Sequence, residues 1–171
     1  MRSVIKGVNA LTWLVERVLA IALLLGITLN FVNVLGRYLF GVVLNGVDEV
    51  EIYILIWIAF LGAAAVTWHG THLRMDVLIA ACPRPIRSLV AAFEALVLLV
   101  ISCFVAWQSF LYVQRIYALG AVSDIAHIPT WIPHSALPIS FAAMALIVVL
   151  RAIQRVLGPA EPEPLRSGGD L

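Results

Sequence analysis

At 171 residues, with 63% hydrophobic and 12% charged side chains and a mean hydropathy of +1.03, the chain lies far outside the range of water-soluble globular proteins. The formal charge of +1 carries little information, because along a membrane protein the distribution of charge matters more than its sum. Cys82 follows one apolar segment and Cys103 lies within another, so neither a disulfide nor a metal site is expected of them.

Four segments meet the requirement of about 20 mainly apolar residues for a spanning helix. The first runs from about residue 11 to 35, and its uncharged part begins after Arg17. It is too long for a signal-peptide core, and no small-residue cleavage site follows at the expected place. Glu16 and Arg17 lie in its first turns.

The second segment, from about 50 to 68, is preceded by Asp48, Glu49 and, one residue in, Glu51. Three readings stand for these carboxylates. The simplest is that they occupy the first turn of the helix, where exposed N–H groups and the positive dipole end favour negative charge. A second pairs one of them, foremost Glu49, with Arg37 at the end of the first helix or with an arginine of a partner. A third, a cation or proton site, fits poorly, since transported ions are usually held nearer mid-membrane. Along the helix Glu49, Tyr53, Trp57, Leu61 or Phe60, Ala64 and Trp68 recur at helical spacing and make one bulky face. Ala59, Gly62, Ala63 and Ala65 offer small residues elsewhere, suited to close helix packing in lipid.

The connection WHGTHLRMDVL holds His69, His72 and Asp76. Their spacing would align ligands on one helical face, but Gly70 weakens a helix there and no fourth ligand is near, so a polar hinge leading to a membrane-surface segment is expected and no metal. Pro83 and Pro85 should break the chain before the third span, about 89–113. Glu94 lies within that span, and a carboxylate there needs a partner or a proton. An ion pair with Arg17, within the chain or across an interface, is the natural expectation; Arg17 snorkelling to the headgroups is the alternative. The fourth span runs from Pro133 to Leu150, and residues 158–171, GPAEPEPLRSGGDL, have the composition of a disordered tail. The expected organisation is a membrane domain over 1–157 and that tail, without the internal repeat of a self-sufficient carrier.

Basic residues orient the chain. Arg2, Lys6, Arg74, Arg84, Arg87, Arg151, Arg155 and Arg166 fall on one side of the four spans, against Arg37 and Arg115 on the other. Both termini are therefore expected in the cytoplasm. The fold class read from the sequence is an all-α integral membrane protein with four transmembrane helices and both termini inside.

These residues carry a resemblance. Arg37 and Tyr38 closing the first helix, Asp48 and Glu49, Trp57, FLGAA at Phe60 to Ala64, and His72 with Asp76 in HLRMD together resemble the small membrane subunit of tripartite ATP-independent periplasmic (TRAP) transporters. The similarity continues through Pro83, Arg87, Ser123, IPTW at Ile128 to Trp131, and LPI at Leu137 to Ile139. It covers nearly the whole chain in order, although each motif alone is short. Ser140 stands where that family more often has glycine, and Asp48 where a second glutamate is common.

The resemblance implies a scaffold without catalytic residues, cofactor or metal. Its partners would be a large elevator-type membrane subunit, a periplasmic substrate-binding protein and the lipid bilayer, with no nucleic acid. Its work would be sodium-driven uptake of an organic acid across the bacterial inner membrane. Arg37, Asp48, Glu49, Trp57, Gly62, His72 and Asp76 become candidates for subunit contacts or structural roles. Two rivals differ in class. A small four-helix multidrug exporter would use a membrane glutamate such as Glu16, but such proteins are shorter and show a weaker basic-residue bias. A haem-bearing anchor subunit needs two histidines at matching depth, whereas His69 and His72 fall at one membrane face and His127 and His134 at the other.

Overall fold

The computed structural model describes residues 2–42, 44–69 and 83–157. His72, Asp76 and the tail after residue 157 lie outside the described residues. Among the described residues five helices follow in order: α1 (Arg2–Phe40), α2 (Val47–His69), α3 (Arg84–Leu119), the short α4 (Trp131–His134) and α5 (Ala136–Leu157). Four spans, the last made of α4 and α5 together, are long and apolar enough to cross a membrane, so the chain is an all-helical multi-pass membrane protein.

Three of the four expected spans lie inside longer helices, and the fourth, 133–150, runs across α4 and α5. α1 has 39 residues and measures about 58 Å at 1.5 Å per residue, nearly twice a hydrocarbon core of roughly 30 Å. Hydropathy finds the hydrocarbon-facing part alone, while backbone hydrogen bonding carries the helix on into the polar zone. α3 likewise starts at Arg84, before the expected 89. Pro85 does not break it, because in the first turn its missing N–H had no partner to lose. Around Ser135 the last span is interrupted instead of continuous. Pro138 there has no N–H to give the His134 carbonyl four residues back, and Ser135 bonds through its own N–H to Trp131 O at 2.9 Å and through its hydroxyl to Ile132 O at 2.6 Å.

The helices pack as an open series. α1 lies on α2, α2 on α5, and α5 on α3, so α1 and α3 form the two ends and share no packed face. The central position of α5 shows in burial, 28% of its span against 6% for α3. Its inner stripe is Ala136, Ser140, Met144 and Val148, spaced by four residues and therefore stacked on one face. On α2 the buried set is Ala64, Ala65, Thr67 and Trp68, and Phe60 meets Phe141 of α5 with ring centroids 6.1 Å apart. The small residues let backbones approach, which gains dispersion contacts where lipid leaves no hydrophobic drive between helices. Ser140, the departure noted in the sequence, is fully buried and its hydroxyl has no hydrogen-bond partner, as is true of Ser102 on α3. The outer helices turn large apolar side chains outward along their length, among them Leu24 and Phe31 of α1 and Phe93 and Phe104 of α3.

Candidate functional site

The polar side chains of the spans gather in two tiers. The first is at the loop end, where α1 passes to α2 and α3 to α4. Asn30, Asn33 and Arg37 recur at three and four residues and so share the face of α1 that meets α2. Asn30 Nδ2 donates to Glu51 Oε2 at 2.8 Å, and Asn33 Nδ2 donates to Asp48 Oδ1 at 3.1 Å. Asn33 is buried, and its Oδ1 accepts the N–H of Leu44 in the connecting loop at 3.3 Å. Arg37 Nη2 stands 3.8 Å from Asp48 Oδ2. The arginine therefore faces Asp48, not Glu49. Both side chains of that pair are about half exposed or more, 48% and 68%, which leaves it weak by screening.

Glu49 points to the other loop. Its Oε1 accepts the N–H of Ile125 at 3.2 Å and its Oε2 that of Ala126 at 2.8 Å, with the Ser123 hydroxyl beside the same carboxylate. Hydrogen bonds to an ionised acceptor are the stronger kind. The loop is shaped to present those donors. A bridge joins Val122 and Pro129, Ser123 N–H reaches Ile128 O at 2.9 Å, and Thr130 N–H reaches Ala121 O at 3.0 Å. His127 closes the turn with φ +52. Gly46, just before α2, has φ +86, and a Cβ there would sit 3.1 Å from Ala126 Cβ and 3.2 Å from its Cα. Only glycine fits both the conformation and the approach of the loop that Glu49 holds.

Asp48 and Glu49 do occupy the first turn of α2, with Glu51 beyond it, but each of the three carboxylates is also engaged by a partner from elsewhere in the chain. Nearby, Tyr117 meets Trp131 edge-on at 5.8 Å, and the His134 ring lies 5.4 Å from Tyr112 with its Nδ1 2.7 Å from Thr130 O.

The second tier is at the opposite, terminal end. Trp68 Nε1 donates to Asn9 Oδ1 of α1 at 2.7 Å, and Arg151 of α5 donates from Nη1 to the Thr67 carbonyl at 3.0 Å. That carbonyl lies in the last turn of α2, where the chain ends leave acceptors without helical partners and favour cations. Arg17 does not pair with Glu94 within the chain. Its guanidinium lies over the Trp13 ring, 4.7 Å from the centroid, because α1 and α3 stand at opposite ends of the series. Trp57 is half-buried and, with Tyr53, Ile54, Ile58 and Leu61, faces Val18, Leu19 and Ala22 of α1 across a cleft of about 410 Å³ beneath Ile128 and Ile132. A Cβ added at Gly62 would meet the Leu19 methyl at 4.0 Å, an ordinary contact.

Residues 24–158 match a family described as tripartite ATP-independent periplasmic transporters, DctQ component. The chain belongs to this family. Among relatives, the ectoine TRAP transporter small permease protein TeaB of Halomonas elongata is 28% identical over 81% of this chain and 72% of its own length. A Haemophilus influenzae protein, assigned by name to the same class of TRAP small permeases, is 27% identical over 91% of this chain and 94% of its own. The isethionate TRAP transporter permease protein DctMQ of Oleidesulfovibrio alaskensis is 25% identical over 67% of this chain but only 18% of its own length. The polar tiers are thus those of a TRAP small permease subunit. The sequence pointed to the acidic trio and to Arg37; it gave no weight to Asn9, Asn30, Asn33 or Arg151 as interhelical ties. Their signal was present, since asparagines three residues apart on the face of Arg37 are rarely placed in a lipid-spanning helix without a partner.

Proposed function

We propose that this chain is the static scaffold subunit of a TRAP transporter in a bacterial inner membrane, with both termini cytoplasmic. It supports a large elevator-type subunit in sodium-driven uptake of an organic acid delivered by a periplasmic binding protein. The observation that carries this reading is the engagement of Asp48, Glu49 and Glu51. Each is held by an in-chain donor at one end of the spans. They fix helices and loops in place, which is what a static support requires and an ion-carrying site does not. The open series with apolar outer helices supports the same reading, since it offers long faces to a membrane partner.

The relative named DctMQ supports a partner in the same membrane, because in it a segment like this chain is part of a much longer permease. The names of the relatives carry ectoine and isethionate, two ligands of different charge chemistry. Substrate choice then rests with the other components, and here the organic acid is inferred only as a class. Arg37, Trp57 and Gly62, together with His72 and Asp76, are the proposed contact or structural residues.

Affinity purification from the native membrane in mild detergent, followed by mass spectrometry, tests the assignment. The expected result is co-purification of one large polytopic permease. Recovery of a homodimer alone, under conditions that keep other membrane complexes intact, would overturn it in favour of the exporter.

A further inference from the structure

Between α3 and α5, on the terminal side of the bundle, the helix surfaces leave a groove of about 590 Å³. Ser88, Ala91, Ala92 and Ala95 of α3 and Val149 and Ala152 of α5 are among its lining residues, and no charged or aromatic side chain lines it. Small side chains recur on the face of α3 that turns to α5. With methyl groups where leucines would fill the space, the two helices pack incompletely there.

The shape of the groove selects its occupant. Its lining runs along α3 from Ser88 to Leu99, a rise of about 16.5 Å. The mean cross-section is therefore about 36 Å², against about 80–110 Å² for an α-helix 10–12 Å in diameter. A helix of a membrane partner can lie over this groove but not within it, whereas an extended hydrocarbon chain fits along it.

Depth and charge point the same way. The middle of the α3 lining, 93–94, lies across from the middle of the α5 lining, 150–151. The bond of Arg151 to the Thr67 carbonyl marks the edge of the apolar zone at this level. The groove thus reaches from about 7 Å outside that edge, at Ser88, to about 9 Å inside it, at Leu99, the range of a headgroup and the upper part of an acyl chain. Position 155 falls near the level of position 89, so Arg87 and Arg155 stand within about 3 Å of each other along the bundle axis. They belong to the two helices that flank the mouth of the groove, on its aqueous side. Arg84 is one turn further out on α3. Glu94, the acidic residue of this stretch, is turned about 100° from Ala95 and is not part of the lining.

We propose that this groove holds one anionic phospholipid, its phosphate between Arg87 and Arg155 and the upper part of one acyl chain along Ala92, Ala95 and Ala152. A carboxylate of a partner protein would meet the arginines but leave the groove beneath them empty; a lipid occupies both. The site goes beyond the scaffold reading and does not rest on it.

The test uses the full-length chain, purified in mild detergent, stripped of lipid and exposed to equal amounts of phosphatidylglycerol and phosphatidylcholine with the same acyl chains. Native mass spectrometry should show one phosphatidylglycerol retained per chain, preferred by about fivefold for each arginine. Arg87→Gln with Arg155→Gln should remove the preference. Ala95→Leu, which fills the groove and leaves the charge unchanged, should lower retention of both lipids severalfold, with folding checked by circular dichroism. Equal retention of the two lipids by the wild type overturns the proposal without recourse to any variant. So does a preference that survives the double glutamine variant, or undiminished retention in folded Ala95→Leu. In the native membrane a photo-crosslinking residue at position 92 should capture phospholipid. Capture of a membrane protein there instead overturns the proposal and assigns the groove to a subunit interface.

Discussion

The two polar tiers hold the same helices by different chemistry. At the terminal end the ties are side chain to side chain or side chain to a helix-end carbonyl, Trp68 to Asn9 and Arg151 to Thr67, and they join α1, α2 and α5 directly. At the loop end the carboxylates of α2 reach a flanking helix through Asn30, Asn33 and Arg37, and a loop through the backbone N–H groups of Ile125 and Ala126. The terminal tier fixes helix spacing. The loop tier also fixes the shape of a surface segment that exposes Val122 and Ile125. The stability of the loop tier therefore depends on backbone conformation as well as on charge.

Changes at the two tiers should separate these roles. The largest effect is expected from Gly46→Ala, which forces a side chain into a positive-φ position beside Ala126. A cost of about 2 kcal/mol is expected in thermal or denaturant unfolding in detergent, and wild-type stability would show that the loop moves aside freely. Arg151→Met removes a charged donor from the Thr67 carbonyl and should cost a similar or slightly smaller amount, about 1.5–2 kcal/mol; it should loosen α2 from α5 without disturbing the 120–130 loop in hydrogen exchange. Trp68→Phe keeps an aromatic ring but loses the bond to Asn9 and part of the buried indole, for about 1–1.5 kcal/mol. The smallest effect belongs to Arg37→Ala, since its partner is 3.8 Å away and both groups are well exposed; below about 0.5 kcal/mol is expected. A stable Arg37→Ala chain that recovers less of its large partner would assign the arginine to the interface between subunits.

Much of this architecture was legible in the sequence. Uninterrupted apolar runs located all four spans, and the motifs from Arg37 to Ile139 located the family. Helix ends were not legible, since Arg84 and Lys6 are as compatible with a continuing helix in water as with a loop. Glu49 was expected to meet Arg37 or an arginine of a partner; within the chain Arg37 faces Asp48 instead, and the donors to Glu49 are backbone N–H groups in a loop 76 and 77 residues away, which carry no side-chain signature. Arg17 and Glu94 were paired by charge and depth alone, and neither reports which helices are neighbours. The order α1, α2, α5, α3 decides that, and it is set by packing of Gly, Ala and Ser faces that resemble one another in every helix. His72 and Asp76, prominent in the sequence, lie outside the described residues and keep their standing as proposed contact residues.

The most direct test of the central claim, that the carboxylates of α2 are structural ties, is hydrogen exchange of the purified full-length chain in Glu49→Ala against wild type. The account predicts that exchange at Ile125 and Ala126 rises by roughly tenfold or more as their acceptor is lost, with the rest of α2 beyond its first turns unchanged. Unaltered exchange at both amides would contradict it and return Glu49 to the list of groups free for another role.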